Sequence, residues 1–352
     1  PAPERQALLL VWLGAPLLAF TVLPGLGGIH YLQSAIPALF LLAAVGWEGL
    51  VGGRRWVSLA GAGALLATLA VQTGTVAAFY GSVGRYPMEG GMGQPLSAWL
   101  EVERGVRERA AREGWREVQI VGADSQPRTS TAAALNYLFR HRLGLRYVCQ
   151  GGRRGLLVPA EGQAGALVFA AEGELRSALM ELGVEEARWP VPGSEWGIRL
   201  YRLPARDPAA LTAGMAAAPA GTFENGMRLL GARLPQRVAP GERLTVLTAW
   251  SFEQPAAASS ADMAFNHLVD ATGRRWAQDD GFALAQADWR PEETLLQWFE
   301  LALPADLPAG EYWLYTGMYS WRDLSRAQLV DQAGRWLADG VRMGPVEVTG
   351  SK

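Results

Sequence analysis

The sequence has a single cysteine, Cys149, and a single lysine, Lys352. One cysteine excludes an internal disulfide, so any exported part must be held by packing alone. Cys149 ends an apolar, strand-like run from Arg146, which reads as a buried, inert thiol rather than a nucleophile. Arginine carries nearly all the positive charge, a bias of genome composition rather than of chemistry. The formal net charge is −2 and no stretch is strongly basic, which excludes nucleic acid as a partner. The histidines are His30, His141 and His267, and no two have metal-ligand spacing. Gly-x-Ser-x-Gly, Walker and His-Glu-x-x-His patterns are absent, and Gly25-Leu26-Gly27-Gly28 follows no strand.

Long apolar runs are what the first eighty residues do have. Ala7–Leu23 (interrupted by Pro16), Tyr31–Val51 and Val57–Tyr80 succeed one another almost without charge. A bilayer core needs about 20 mainly apolar residues per helix, so three spans are expected, near 7–23, 31–51 and 57–80. Arg54 and Arg55 occupy the one tight basic connection, which prefers the cytoplasm. That places the loop 24–30, and everything after Tyr80, on the outer side. A cleaved signal peptide fits poorly, because the runs follow each other with no small-residue cleavage site. The chain opens Pro1-Ala2-Pro3 without methionine and reads as the C-terminal portion of a longer protein.

Beyond a Gly/Pro/Met-rich linker at 81–94, the pattern changes. Leu96–Glu113 has Leu100, Val102, Val106 and Ala110 at helical spacing, and Thr131–Leu143 and Glu172–Leu182 are further helices. Strands are expected at 117–124, 145–149, 155–159, 166–170 and 196–203. Alternating helices and strands imply a small α/β domain over 95–204. An Ala/Pro-rich linker follows at 207–220. From 221 to 350 the period is that of strands, with turns such as Ala239-Pro240-Gly241 and Ala271-Thr272-Gly273 about every ten residues. That spacing implies an antiparallel β-sandwich. The expected fold class is therefore multidomain: an α-helical transmembrane segment (1–84), then the α/β domain and the sandwich, both extracytoplasmic.

Candidate chemistry is sparse. Asp124 and Ser125 follow an expected strand, where α/β folds gather ligands; the alternative is a turn into a helix capped by Ser130 or Thr131. Asp270, Asp279 and Asp280 are carboxylates near a hairpin that either ligate Ca²⁺ or simply form solvated turns. Seven tryptophans fall in the sandwich. Trp250, Trp298 and Trp313 sit on alternating strands and are expected in its core, whereas Trp289, Trp321 and Trp336, in loops, are the candidates for stacking on glycan rings.

His30-Tyr31-Leu32-Gln33-Ser34-Ala35-Ile36-Pro37-Ala38-Leu39 resembles the segment that opens a late transmembrane helix in GT-C type integral-membrane glycosyltransferases, the protein mannosyltransferase and aminoarabinose transferase group. Ser34 departs from the pattern, which commonly has proline there. The sandwich is similar to the C-terminal β-domain of such bacterial proteins, particularly Chloroflexi-like ones. Matching stretches include Val238-Ala239-Pro240-Gly241-Glu242, Phe265–Asp270, Gln278-Asp279-Asp280-Gly281, Trp289–Glu293 and Leu307–Tyr312. The resemblance implies a multi-pass protein of the bacterial cytoplasmic membrane, a polyprenyl-phosphate sugar donor, and a glycan or protein acceptor on the outer face. It also implies a catalytic carboxylate, with any divalent metal, in a loop upstream of Pro1, so no residue here is assigned a catalytic role and no cofactor is expected. His30 and Tyr31 either face the donor phosphate or form an interfacial anchor pair. A second hypothesis is a membrane-anchored sandwich that binds glycan or protein without catalysis. A tethered hydrolase would need an acid/base pair in the α/β domain, and none is found.

Overall fold

The computed structural model describes residues 11–12, 55–83, 96–123, 130–140, 142–149, 153–191, 194–253, 262–291 and 293–350. The chain divides into two compact units, Pro1–Ser82 and Val83–Lys352. In the first, helix α1 runs from Arg55 to Val83. Its stretch Leu59–Ala78 is long and apolar enough to cross a membrane, and none of it is buried inside the protein. Thr68, Thr73 and Thr75 donate their hydroxyls to carbonyls four residues back, at 2.8–2.9 Å, which satisfies those groups without water. The span expected near 57–80 falls on this helix. Those near 7–23 and 31–51 lie outside the described residues, apart from Val11 and Trp12, which are helical.

In the second unit, β1 (Glu117–Val121) lies parallel to β2 (Gly144–Tyr147) and β4 (Gln163–Val168). Antiparallel β6 (Ser194–Pro204) and β5 (Val184–Val191) complete a first sheet in the order β2-β1-β4-β6-β5. Helices α2 (Leu96–Glu113) and α3 (Ser130–Phe139) cover one face with Val102, Val106, Leu135 and Phe139 against Ile120 and Leu200. Helix α2 buries Trp99 and Glu103 beside Val102, Val106 and Ala110, and leaves Leu100 43% exposed. That set is one i, i+3, i+4, i+7 stripe, and Leu100 lies off it. Strand β5 was not expected from the sequence. It is a sheet edge of mixed exposure, rich in charge and containing Pro190, a composition that blunts edges.

The second and third sheets form the sandwich. The middle sheet has the order β3-β14-β11-β9-β7, from Arg154–Pro159, Glu293–Ala302, Arg243–Phe252, Met227–Arg233 and Ala216–Ala217. The outer sheet has the order β10-β18-β15-β12-β13, from Arg237–Val238, Val341–Val348, Gly310–Ser320, Asp262–Val269 and Arg275–Gln278. A small sheet of β17 (Trp336–Ala338), β16 (Leu329–Val330) and β8 (Thr222–Phe223) lies beside them. Between middle and outer sheets lie Trp250, Leu268, Leu295, Phe299 and Leu314.

Strand β3 corrects the domain reading. Residues 155–159 were assigned to the α/β domain, yet β3 pairs antiparallel with β14, Leu157 opposite Leu295. The reason lies on the back of the middle sheet, where Leu247, Ala249, Leu296 and Trp298 pack with Val121, Val168 and the helix α4 (Gly173–Leu182). The α/β part and the sandwich share this core, so 95–204 is not a self-contained layer. The Gln119 side chain bridges the two: its Nε2 donates to the Leu157 carbonyl at 2.7 Å and its Oε1 accepts from the Leu157 amide at 2.9 Å. Residues 207–220 are likewise more than a linker. Asp207 caps the short helix α5 (Pro208–Leu211), accepting from the Ala209 amide at 2.9 Å, and β7 joins the middle sheet. A Cβ on Gly231 would meet the Ala216 carbonyl at 2.9 Å, so the β7–β9 approach requires glycine there.

Candidate functional site at the strand ends

Strands β1 and β4 are parallel neighbours, and the chain leaves β1 towards α3 on one face but leaves β4 towards α4 on the other. Such a divergence opens a crevice at the carboxyl ends of the strands, the usual place for ligands in α/β sheets. Here a cleft of about 310 Å³ is lined by Gly122, Cys149, Arg153, Arg154, Ala170 and Glu172, among others. Gly122 has φ +77°, and a Cβ on it would come within 2.5 Å of the Ala170 carbonyl oxygen. Glycine is thus demanded twice, by conformation and by contact. Cys149 is 9% exposed, as a packed thiol would be.

The arginines link this crevice to the sandwich. Arg153 donates to the Asp279 carboxylate and the Asp280 carbonyl. Arg154 pairs with Glu300 at 3.3 Å, and Arg243 reaches the same carboxylate at 3.0 Å. An adjoining cleft of about 240 Å³ lies among Arg153, Arg154, Arg243, Asp279, Trp298 and Glu300. The Trp298 indole donates to Glu174 at 3.1 Å, next to the start of α4. The result is a polar seam of guanidinium and carboxylate pairs, built to hold hydroxyl-rich or charged groups by hydrogen bonds. Its described lining residues include no histidine. A second ion-pair centre closes the far end of the same interface. Arg146, with a side chain 6% exposed, binds Glu293 at 2.6 and 2.7 Å and Glu117 at 3.2 Å. Burial opposes its charge, but the hydrogen bond and charge of Glu293 hold its pKa above the ordinary arginine value.

The residues singled out from the sequence fall differently. His30, Tyr31, Asp124 and Ser125 lie outside the described residues. Trp289 is corrected: although in a loop, it is 3% exposed and packs 5.5 Å from Phe252 and 5.3 Å from Phe282. The segment from Gly281 to Trp289 folds inward, burying Phe282, Ala283 and Leu284 in the sandwich core, so Trp289 is not a surface for glycan. Trp321 and Trp336 remain 56% and 63% exposed. Trp250 is buried in the sandwich core as expected, Trp298 is buried instead in the core shared with the α/β part, and Trp313 is half-buried on the outward face, with the Arg342 guanidinium 4.0 Å from its ring. An open cleft of about 920 Å³ is walled by Arg228, Glu253, Asp331 and Arg335, the residue before Trp336, among others.

The three aspartates do not converge on a cation. Asp270 accepts from the Thr272 amide and hydroxyl, the Arg274 amide and the Trp276 indole, which hold its pKa down to about 2. Asp279 is bound to Arg153 and the Glu300 amide, and Asp280 accepts from the Asn266 amide. Among the described residues no group of three or more His, Cys, Asp or Glu is placed to hold a metal ion. The arginines of the seam were missed in the sequence, although Gly151-Gly152-Arg153-Arg154 between two strands is a visible basic pair. The acidic partners of Arg153 and Arg154 lie more than a hundred residues away, beyond the reach of any local pattern.

No family model matches the sequence. No curated protein matches it. Similar solved structures include a beta-glucosidase from Listeria innocua, 18% identical over 37% of this chain and 16% of that one, TM-score 0.22. Others are a CARDB domain from Pyrococcus furiosus in complex with di-metal ions (11% identity, 36% and 92% covered, TM-score 0.21) and a Niemann-Pick type C2 protein from Japanese carpenter ant (8%, 38% and 97%, TM-score 0.20). The chain spans about a sixth of the beta-glucosidase. Likenesses this distant carry no argument for fold or activity.

Proposed function

We propose that this chain is the C-terminal portion of a GT-C type bacterial membrane glycosyltransferase. In this reading α1 is its last span, and the second unit lies on the extracytoplasmic face, where a polyprenyl-phosphate sugar is transferred to a glycan or protein acceptor. The observation that carries it is the order of parts. An apolar helix with Leu59–Ala78 long enough to span follows Arg54-Arg55, and a large β-rich unit comes after it. The glycosyltransferase-like segment His30–Leu39 lies immediately upstream. His30 and Tyr31 would then meet the donor phosphate, and the catalytic carboxylate would come from an upstream external loop. The polar seam around Arg153 and Arg154 suits acceptor hydroxyls rather than bond making. The test is the genomic reading frame upstream of Pro1. A continuous frame with many further spans and an Asp or Glu in its first external loop supports the proposal, and substituting that acid should abolish transfer. A start codon close to Pro1 sinks it.

A second reading, an anchored glycan-binding module without catalysis, is favoured by one feature: the exposed Trp336, which follows Arg335 of the Arg228/Asp331 cleft in the chain. Stacking on a sugar ring there would be lost in Trp336→Ala, measurable as loss of retention on immobilised glycans.

A further inference from the structure

The turn after β15 carries an apolar tip that the fold does not explain. Leu324 has φ 61° and is, among the described residues, the one non-glycine with positive φ; the other such positions are all glycine. Glycine would occupy this conformation freely, whereas a leucine is strained in it. Its side chain is nevertheless 72% exposed, the most exposed large aliphatic group of the second unit among the described residues, and Trp321 beside it is 56% exposed. A fold that needed only the turn would gain by replacing Leu324 with glycine.

The tip is also held rigid. The Leu324 amide donates to the Ser320 carbonyl at 2.8 Å, and the Ser320 amide to the Ser325 carbonyl at 2.8 Å. Asp323 accepts from the Ser325 amide at 3.1 Å and its hydroxyl at 2.7 Å, and Tyr319 bridges to Arg326 behind them. Two apolar groups fixed towards solvent lose little freedom on binding. Between them stands Arg322, its guanidinium 6.0 Å from the Trp321 ring.

An indole, an isobutyl group and a guanidinium on one rigid turn match the layers of a lipid surface. Indoles settle at the interface, leucine favours the acyl boundary, and guanidinium binds phosphate through paired hydrogen bonds. A glycan would use the tryptophan but leave Leu324 in water. The same chain carries Leu59–Ala78, and residues 84–95 between α1 and α2 extend to at most about 40 Å. A tether that short keeps a lipid surface at high effective concentration. We infer that Trp321, Arg322 and Leu324 dock into the interfacial layer of the bilayer that anchors the chain. The inference rests on α1 being a span.

The test uses the full chain in nanodiscs of phosphatidylcholine and phosphatidylglycerol with brominated acyl chains. On a Cys149→Ser background, Leu324→Cys carries an environment-sensitive fluorophore; Met180→Cys, at a site 68% exposed on α4, is the comparator. The label at 324 should shift to the blue and lose most of its emission to bromine, and adding Trp321→Ser should restore part of it, while the label at 180 stays bright. Equal quenching at both sites, or none at 324, overturns the proposal. So does a blue shift without quenching, which would mean that protein covers the tip. Should the serine variant fold poorly, the same labels on the wild-type background give the same comparison, since Cys149 is only 9% exposed. Carbonate extraction separates the two ideas: a chain released from membranes defeats the span and this proposal together. A chain retained but unquenched at 324 defeats only this one.

Discussion

The middle and outer sheets each have five strands, yet β14 of the one and β15 of the other meet their surroundings differently. On β14 of the middle sheet, Leu295 faces the sandwich core and Leu296 faces the core shared with the α/β part, and both are buried. On β15 of the outer sheet, Tyr312 and Leu314 are buried while Trp313 and Tyr315 between and after them are half-buried. Strand β14 is covered on both faces, and β15 between Tyr312 and Tyr315 on one. Continuous apolar strands and alternating ones are therefore two burial environments, not two qualities of the same pattern.

The sharpest way to break that comparison is to truncate neighbours. Leu295→Ala and Leu296→Ala should each cost about 2–5 kcal/mol, as fully buried leucines do. On the outer sheet Leu314→Ala should match them, and Trp313→Ala should cost only about 1 kcal/mol, for its contact with Arg342. Urea midpoints of the detergent-solubilised protein read all four. A silent Leu296→Ala would mean that the α/β part does not pack on the middle sheet.

Smaller effects probe the joints of that shared interface. Arg146→Met strands the Glu293 carboxylate, 19% exposed, and should cost about 2–4 kcal/mol, of which adding Glu293→Leu should restore a part. If the double variant is as unstable as the sum of the singles, the pair is not coupled. Gln119→Leu leaves the amide and carbonyl of Leu157 without their partners and should cost about 2 kcal/mol. Hydrogen exchange should speed at Leu157 and stay slow at Leu244 in the sandwich core; uniform acceleration would show that the clasp is not local.

The smallest effect concerns the outer sheet's turn. Hydrogen bonds, chiefly from the Thr272 hydroxyl and the Trp276 indole, hold the Asp270 carboxyl down at about 2 in the folded protein, below the ordinary aspartate range. A depressed folded pKa means that its contribution is complete above pH 4 and is lost as the pH falls towards 2. Asp270→Asn should therefore be less stable than wild type at pH 7, with the gap closing by pH 2. A gap independent of pH would place the effect in shape, not charge.

Most elements of the second unit were legible because their periods are strong. Helix α2 reproduces the expected bounds 96–113, and strands fill the region from 221 onward where a strand period was expected. Strand β5 was hidden because an edge is stabilised by ion pairs such as Arg199–Glu185 and Arg202–Glu186, which leave no apolar alternation to read. Trp289 deceived because loop membership predicts exposure only when the loop runs outside the core. Of the candidate site, the strand end at Gly122 could be anticipated, since an apolar strand closing on Gly and Asp is a local signal. The arginine seam could not, because every one of its partners is distant in sequence.

The sequence by itself determined the apolar helix ahead of a β-rich unit, the turn positions, and the lack of a disulfide within these residues. Those properties depend on local composition and on periodicity over ten or twenty residues. Only the tertiary structure decided that β3 leaves its neighbours to pair with β14, that Trp289 turns inward, and that Leu324 is held strained in the open. Each depends on which surface finds which partner across the whole chain, and a short stretch of sequence carries only half of such a contact.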